Sequence, residues 1–157
     1  MGRADKAASY FQQGFACSQS VLLTFAEELG LSLALAERLA SGFGGGIGRT
    51  GQTCGAVSGA VMALGLTYGE NFGSAGSAAA KDQMYARVRQ FFAEFQALHG
   101  SLDCNALLCS DISTPEGRSQ AREQGKFSAV CPLLVQDAVT ICETMLAEAL
   151  PAPIKAE

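Results

Sequence analysis

Cysteine is the residue type whose number and spacing point most directly to chemistry in this sequence. The six cysteines are Cys17, Cys54, Cys104, Cys109, Cys131 and Cys142. A cysteine thiolate attacks disulfides and binds metal ions, so several thiolates in one place would form a redox centre or a metal site. The sequence has one histidine and no tryptophan, which leaves little material for histidine-based catalysis or a histidine-rich metal site.

Four of these cysteines are predicted to lie at the beginning of a helix. They are Cys17, Cys54, Cys104 and Cys131. Unpaired N–H groups and the helix dipole stabilise a thiolate at such a position and lower its pKa. We therefore expect four helices to meet at one end of a bundle, with Cys54 as the low-pKa nucleophile. Taken singly, each of these thiols would more often fill core space.

The other two cysteines have less suitable spacings. Cys142 follows Cys131 on nearly the same helix face but about 16 Å further along the axis, and its apolar neighbours predict a core position. Cys109 follows Cys104 at a poor spacing for chelation, although an irregular segment could bring the two together. No C-x-x-C pair occurs, which argues against a thioredoxin-type motif, a zinc ribbon and a bacterial ferredoxin run.

The elements that must position these cysteines are predicted to be helices. Apolar residues recur at helical spacing, and no stretch alternates as a strand would. The predicted helices cover 5–13, 18–29, 33–40, 54–68, 77–98, 104–109, 115–124 and 129–149. The predicted capping residues are Ser32, Thr53, Asp103, Thr114 and Ser128. With 104–109 as a short turn, we expect one all-α domain over residues 1–157, a bundle of about six or seven helices with a loose tail at 150–157.

Length, composition and charge fit a single globular domain. The chain has 157 residues, of which 48% are hydrophobic and 17% charged, enough to bury a core without disulfides. The net charge of −4 disfavours nucleic-acid binding. The N-terminal residues lack the apolar run of a signal peptide, so we expect a cytoplasmic protein whose thiols are reduced.

The stretch between Arg49 and Glu70 carries no charge and is long enough to span a membrane. Its glycines and hydroxyl residues favour a buried central helix instead, and we expect no membrane insertion. Gly55 and Gly59 share one face of this helix because they are four residues apart. Such a face allows close helix packing, either at the centre of the bundle or in a homodimer.

The glycine-rich segment at 42–51 is predicted to be a loop that delivers Cys54 to its helix. It contains a formal G-x-G-x-x-G, but a predicted helix precedes it, whereas a dinucleotide site needs a strand. Arg49 in this loop could add positive charge near Cys54 or simply be solvated. His99 could act as a base for Cys104, although a histidine at a helix C-terminus more often interacts with the helix dipole.

The run Cys-Gly-Ala-Val-Ser-Gly at 54–59 matches a C-G-A-x-x-G signature. Together with the order of the other cysteines, it resembles the C_GCAxxG_C_C family over roughly residues 7–146. Members of that family are small helical proteins to which a redox role is ascribed because four cysteines recur, and a related module suggests an iron–sulfur site. The resemblance assigns the family positions to Cys17, Cys54, Cys104 and Cys131. Cys109 stands where the family more usually has glycine, so Cys109 and Cys142 are extra thiols.

Three functions are compatible with these observations, in order of preference. The first is a thiol redox protein in which two or more of the four family cysteines cycle between dithiol and disulfide with a redox partner protein. The second is a metal-binding protein in which the same four thiolates hold an iron–sulfur cluster or, less favoured, zinc. The third is a helical interaction module whose buried cysteines have no chemistry. Enzymatic activity is left open.

Overall fold

Helices make up the computed structural model of the chain, which describes residues 1–70 and 77–149. The helices of eight or more residues are α1 (Arg3–Gln12), α2 (Cys17–Ala26), α3 (Leu33–Ala40), α5 (Gly55–Tyr68), α6 (Ala78–His99), α8 (Pro115–Glu123) and α10 (Cys131–Met145). The shorter elements are a 3-10 turn (Ser41–Phe43), α4 (Gly44–Ile47), α7 (Cys104–Leu108) and α9 (Lys126–Ala129).

The prediction of an all-α bundle with about six or seven main helices is confirmed. The two described ranges contain no sheet strand, only one isolated backbone bridge. The predicted tail at 150–157 and most of the segment between the predicted helices 54–68 and 77–98 lie outside the described residues.

Local capping explains where several of these helices begin. The Ser32 hydroxyl accepts the N–H of Leu35 at 3.3 Å, and the Asp103 carboxylate accepts the N–H of Ala106 at 2.9 Å. Thr114 caps α8 in the same way, with a proline at the first helical position. These side chains satisfy N–H groups that have no partner inside the helix, so the three predicted caps are confirmed.

The start of the last helix differs from the prediction. Ser128 lies inside α9 and donates its hydroxyl to the Gly125 carbonyl oxygen at 3.0 Å, so it is not the cap. α10 begins at Cys131, because Pro132 has no N–H and interrupts the helical hydrogen bonding after α9. By length and composition alone, Lys126–Met145 could cross a membrane, a property that core helices of globular proteins share.

The centre of the bundle is α5, which packs against α2, α6 and α10. The prediction of a buried central helix is therefore confirmed. α2 lies very close to α5, since a Cβ at Gly59 would be 2.6 Å from the Ser18 carbonyl oxygen. The small-residue face of Gly55 and Gly59 is thus covered within one chain. A homodimer stays a prediction and would need a different surface.

Candidate functional site

A short backbone bridge holds two of the predicted site cysteines side by side. Thr53 pairs with Asp103 in an isolated antiparallel bridge. Across it, the N–H of Cys54 donates to the Leu102 carbonyl oxygen at 2.8 Å. In the opposite direction, the N–H of Cys104 donates to the Gln52 carbonyl oxygen at 2.6 Å. The predicted capping role of Thr53 is therefore wrong, because Thr53 belongs to the bridge and Cys54 itself occupies the N-cap of α5. The bridge fixes the starts of α5 and α7 next to each other.

The beginnings of α2 and α10 meet at the same place. A Cβ on Gly55, the first residue of α5, would lie 3.1 Å from the Cβ of Cys17. Glycine at this position therefore allows the start of α2 to lie against the start of α5. Cys131 opens α10, and its thiol lies close enough to the Cys17 thiol for hydrogen bonding between them to shift the pKa of each.

One cavity of about 620 Å³ brings the four predicted site cysteines together. Cys54, Cys104 and Cys131 are buried, Cys17 is partly buried, and all four are free thiols. The helix starts thus meet as the sequence predicts, while the chemical role of the four thiols stays a prediction. Phe11, Phe15 and Phe127 line the same cavity.

The two extra cysteines do not line this cavity. Cys142 is fully buried in the core, where burial raises the pKa of its thiol to about 12, and its predicted core position is confirmed. Cys109 is exposed on the turn that ends α7. The sequence allowed an irregular segment to bring Cys109 to Cys104, but Cys109 does not line the cavity to which Cys104 belongs.

Cys109→Gly is expected to stabilise the protein by about 0.5–1 kcal/mol. Cys109 has a φ of 48°, in the left-handed region where a Cβ crowds the following carbonyl and glycine does not. The free energy of unfolding in urea measures the effect. Cys109→Ala keeps the Cβ and is the matched control, so an equal gain from both substitutions would contradict the explanation.

Burial sets the protonation of two of the cavity thiols. It raises the pKa of Cys54 to about 11, although the backbone N–H groups of Ala56 and Val57 at the helix start partly oppose it. Burial, with smaller contributions from neighbouring Cys54 and Cys131, raises the pKa of Cys104 to about 12. The expectation that Cys54 is the low-pKa nucleophile is therefore wrong, because lost hydration outweighs the favourable helix terminus.

Cys131 is the thiol whose pKa is lowered. The hydrogen bond from the Cys17 thiol stabilises a thiolate at Cys131 and outweighs the opposing effect of burial. The same contact, followed by burial, raises the pKa of Cys17. Of these two thiols, Cys131 therefore ionises first and Cys17 keeps its proton to higher pH.

Three arginines line the cavity together with the thiols. Arg49 comes from the glycine-rich segment, whereas Arg118 and Arg122 come from α8. Arg49 was expected from the sequence as a possible positive charge near Cys54, whereas the two arginines of α8 were not expected at this site. Their spacing of four residues, which places them on one helix face, was the available signal.

The glycine-rich segment covers one side of the cavity in a left-handed turn. Positive φ values occur at all five residues of 45–49, including Ile47 at 66° and Arg49 at 62°. A Cβ on Gly46 would lie 2.8 Å from the Cβ of Cys104, so glycine permits the segment to pass over this thiol. The segment predicted as a loop thus forms a left-handed turn at α4, which follows the 3-10 turn at 41–43.

His99 is not placed to act as a base for Cys104. Its Nε2 lies 3.0 Å from an Asp137 carboxylate oxygen, and its ring packs 4.7 Å from that of Phe95, centroid to centroid. His99 does not line the cavity that contains Cys104 and the other three predicted site cysteines.

The donor set of the cavity, four thiols, is one that iron–sulfur clusters use. Within 1–70 and 77–149, however, no three histidine, cysteine, aspartate or glutamate side chains form a group that could hold a metal ion. The cluster or zinc site predicted at these cysteines therefore stays a prediction.

Comparison with known proteins identifies a matching family. A family model described as "Putative redox-active protein (C_GCAxxG_C_C)" matches residues 15–145. This range contains all six cysteines and every helix except α1. Neither a search of curated proteins nor a search of solved structures finds a match.

Proposed function

Because this chain belongs to the C_GCAxxG_C_C family, whose description is redox activity, we propose that it is a thiol–disulfide redox protein in which Cys17 and Cys131 form a reversible disulfide. The observation that carries the proposal is that Cys17 and Cys131 line one cavity, where each thiol shifts the pKa of the other. A nucleophile and its resolving thiol must lie near each other, and the opposite pKa shifts of Cys131 and Cys17 support their proximity.

Reduction of a substrate disulfide would use this pair in two steps. The Cys131 thiolate attacks one substrate sulfur, the substrate S–S bond breaks, and the first product leaves as a thiolate that takes up a proton. The Cys17 thiol then loses its proton and attacks the Cys131 sulfur, which releases the second product thiol. Two protein thiols become one disulfide while the substrate disulfide becomes two thiols, and a redox partner protein would return two electrons and two protons.

Cys54 and Cys104 have a different part in this proposal. Their raised pKa values keep them as neutral thiols near pH 7, so neither is the first nucleophile. Each also lies close enough to Cys131 for a thiolate there to oppose its ionisation. They would surround the reacting pair with weakly polar groups rather than compete with it.

Oxidation of the reduced protein with one equivalent of diamide tests the proposal. We expect the free-thiol count to fall by two and peptide mapping to find a Cys17–Cys131 disulfide that dithiothreitol reverses. Cys17→Ser and Cys131→Ser should each prevent this disulfide, whereas Cys109→Ser, the exposed control, should keep it. An unchanged thiol count in the parent protein, or a disulfide mapped to another pair, would overturn the assignment.

Iron content distinguishes the alternative chemistry of the same cysteines. We expect protein purified without oxygen to be colourless and free of stoichiometric iron. About two or four iron atoms per chain, with a visible charge-transfer band, would instead establish a cluster site and refute the thiol–disulfide proposal.

A further inference from the structure

We propose that the cavity selects small, negatively charged organic disulfides as substrates of the Cys17–Cys131 pair, an inference that rests on the proposed function. The observation behind it is the charge of the cavity wall. Arg49, Arg118 and Arg122 line it, and no acidic side chain of the described ranges does.

The positive wall is opposite in sign to the chain as a whole. The sequence has 15 acidic and 11 basic residues and a net charge of −4. None of the three cavity arginines forms a salt bridge in the part of the chain that the structure describes. Their charges are therefore available to an anion that enters the cavity.

Arg118 is the arginine whose position is best fixed. Its Nη1 donates to the Ile112 carbonyl oxygen at 3.1 Å and to that of Ser113 at 3.4 Å. Both acceptors are neutral, so the hydrogen bonds orient the guanidinium group without cancelling its charge. A guanidinium group has five N–H donors, so others remain for a carboxylate. Arg122 lies one turn further along the same helix and is exposed.

Arg49 contributes from the glycine-rich segment. A Cβ on Gly45 would lie 2.9 Å from the Cγ of Arg49. The aliphatic part of the Arg49 side chain therefore packs against Gly45, where any other residue would clash with it. The left-handed turn at 45–49 thus directs a cation to the cavity that contains Cys54.

The size of the cavity suits a small molecule. The volume of about 620 Å³ is in the range of pockets that hold small organic ligands. Three phenylalanines and Leu108 supply apolar contacts for a carbon skeleton, while the arginines supply contacts for carboxylates. In the exchange described above, each product would be a small thiol that carries a negative charge.

Three disulfides of different charge test this selectivity with the reduced chain in a Cys109→Ser background. They are oxidised glutathione (anionic), bis(2-hydroxyethyl) disulfide (neutral) and cystamine (cationic). Each rate of thiol oxidation is divided by the rate of the same disulfide with free dithiothreitol, which removes differences in intrinsic reactivity. We expect the corrected rate to be at least about tenfold higher for oxidised glutathione than for cystamine at low ionic strength. Added salt should reduce this preference.

Arginine variants show whether the cavity wall produces the preference. Arg118→Gln and Arg122→Gln should each lower the ratio of the oxidised glutathione rate to the neutral disulfide rate, by about threefold. Arg89→Gln is the matched control, because Arg89 is exposed on α6 outside the cavity, and it should leave this ratio unchanged.

The outcomes distinguish a failure of the charge selectivity from a failure of the proposed thiol–disulfide function. Equal corrected rates for the three disulfides, or a ratio that neither cavity variant changes, would overturn the charge selectivity and leave the thiol pair intact. If none of the three disulfides oxidises the Cys17–Cys131 pair, the proposed function itself fails.

Discussion

Cys131→Ser is expected to slow the reaction of the cavity thiols with a neutral dithiodipyridine reagent by at least about tenfold at neutral pH. A thiol with a pKa of about 11, such as Cys54, carries about a hundredfold less thiolate than one at the usual value of 9.0. The greater nucleophilicity of the more basic thiolate recovers about tenfold of this loss. The net loss of rate is therefore at least about tenfold, because the pKa of Cys131 lies below the usual value used in this comparison.

Matched variants show which thiol reacts. The measurements use a Cys109→Ser background, since the exposed Cys109 would otherwise react by itself. Cys54→Ser removes a thiol from the same cavity and should change the rate less than twofold, because the protonated Cys54 contributes little. A large loss of rate in Cys54→Ser, with little loss in Cys131→Ser, would reverse the assignment.

The pH profile of the same reaction tests the role of Cys17. The rate should rise with pH along the ionisation of Cys131, with a midpoint below 9.0. Cys17→Ala removes the hydrogen-bond donor, so burial acts on Cys131 without compensation and the midpoint should move to higher pH. An unchanged midpoint would mean that the contact between the two thiols does not stabilise the thiolate.

The helix starts could be predicted where the signal is local in the sequence. Ser32, Asp103 and Thr114 cap their helices through side-chain contacts to residues only three positions further on. Two predicted caps failed for different physical reasons. The backbone of Thr53 forms a bridge to a distant segment, and Pro132 moves the start of α10 beyond Ser128.

The positions of the four thiols followed from their helix starts, but their protonation did not. A helix terminus lowers a thiol pKa by a local effect, whereas burial depends on what packs against the sulfur from elsewhere in the chain. For Cys54 burial prevails, and for Cys131 the contact with Cys17 prevails. The arginines of α8 were missed for the same reason, since only the tertiary fold places that helix at the cavity.

Gly59→Ala is expected to lower the free energy of unfolding by about 1–2 kcal/mol. A Cβ at this position would lie 2.6 Å from the Ser18 carbonyl oxygen and 2.9 Å from the Cβ of Val21. α2 would have to move away from α5, and overpacking of this kind costs about 1–3 kcal/mol. The higher helix propensity of alanine offsets up to about 1 kcal/mol of that cost. Urea unfolding followed by circular dichroism measures the difference.

Gly65→Ala is the matched control, because Gly65 lies in the same helix with no atom within 4 Å of its added Cβ. It should stabilise the protein by about 0.5–1 kcal/mol, since only the helix propensity changes. Equal stability of the two variants would contradict the close packing of α2 on α5. Because α2 carries Cys17 while α5 is capped by Cys54, displacement of α2 should also slow formation of the Cys17–Cys131 disulfide in Gly59→Ala but not in Gly65→Ala.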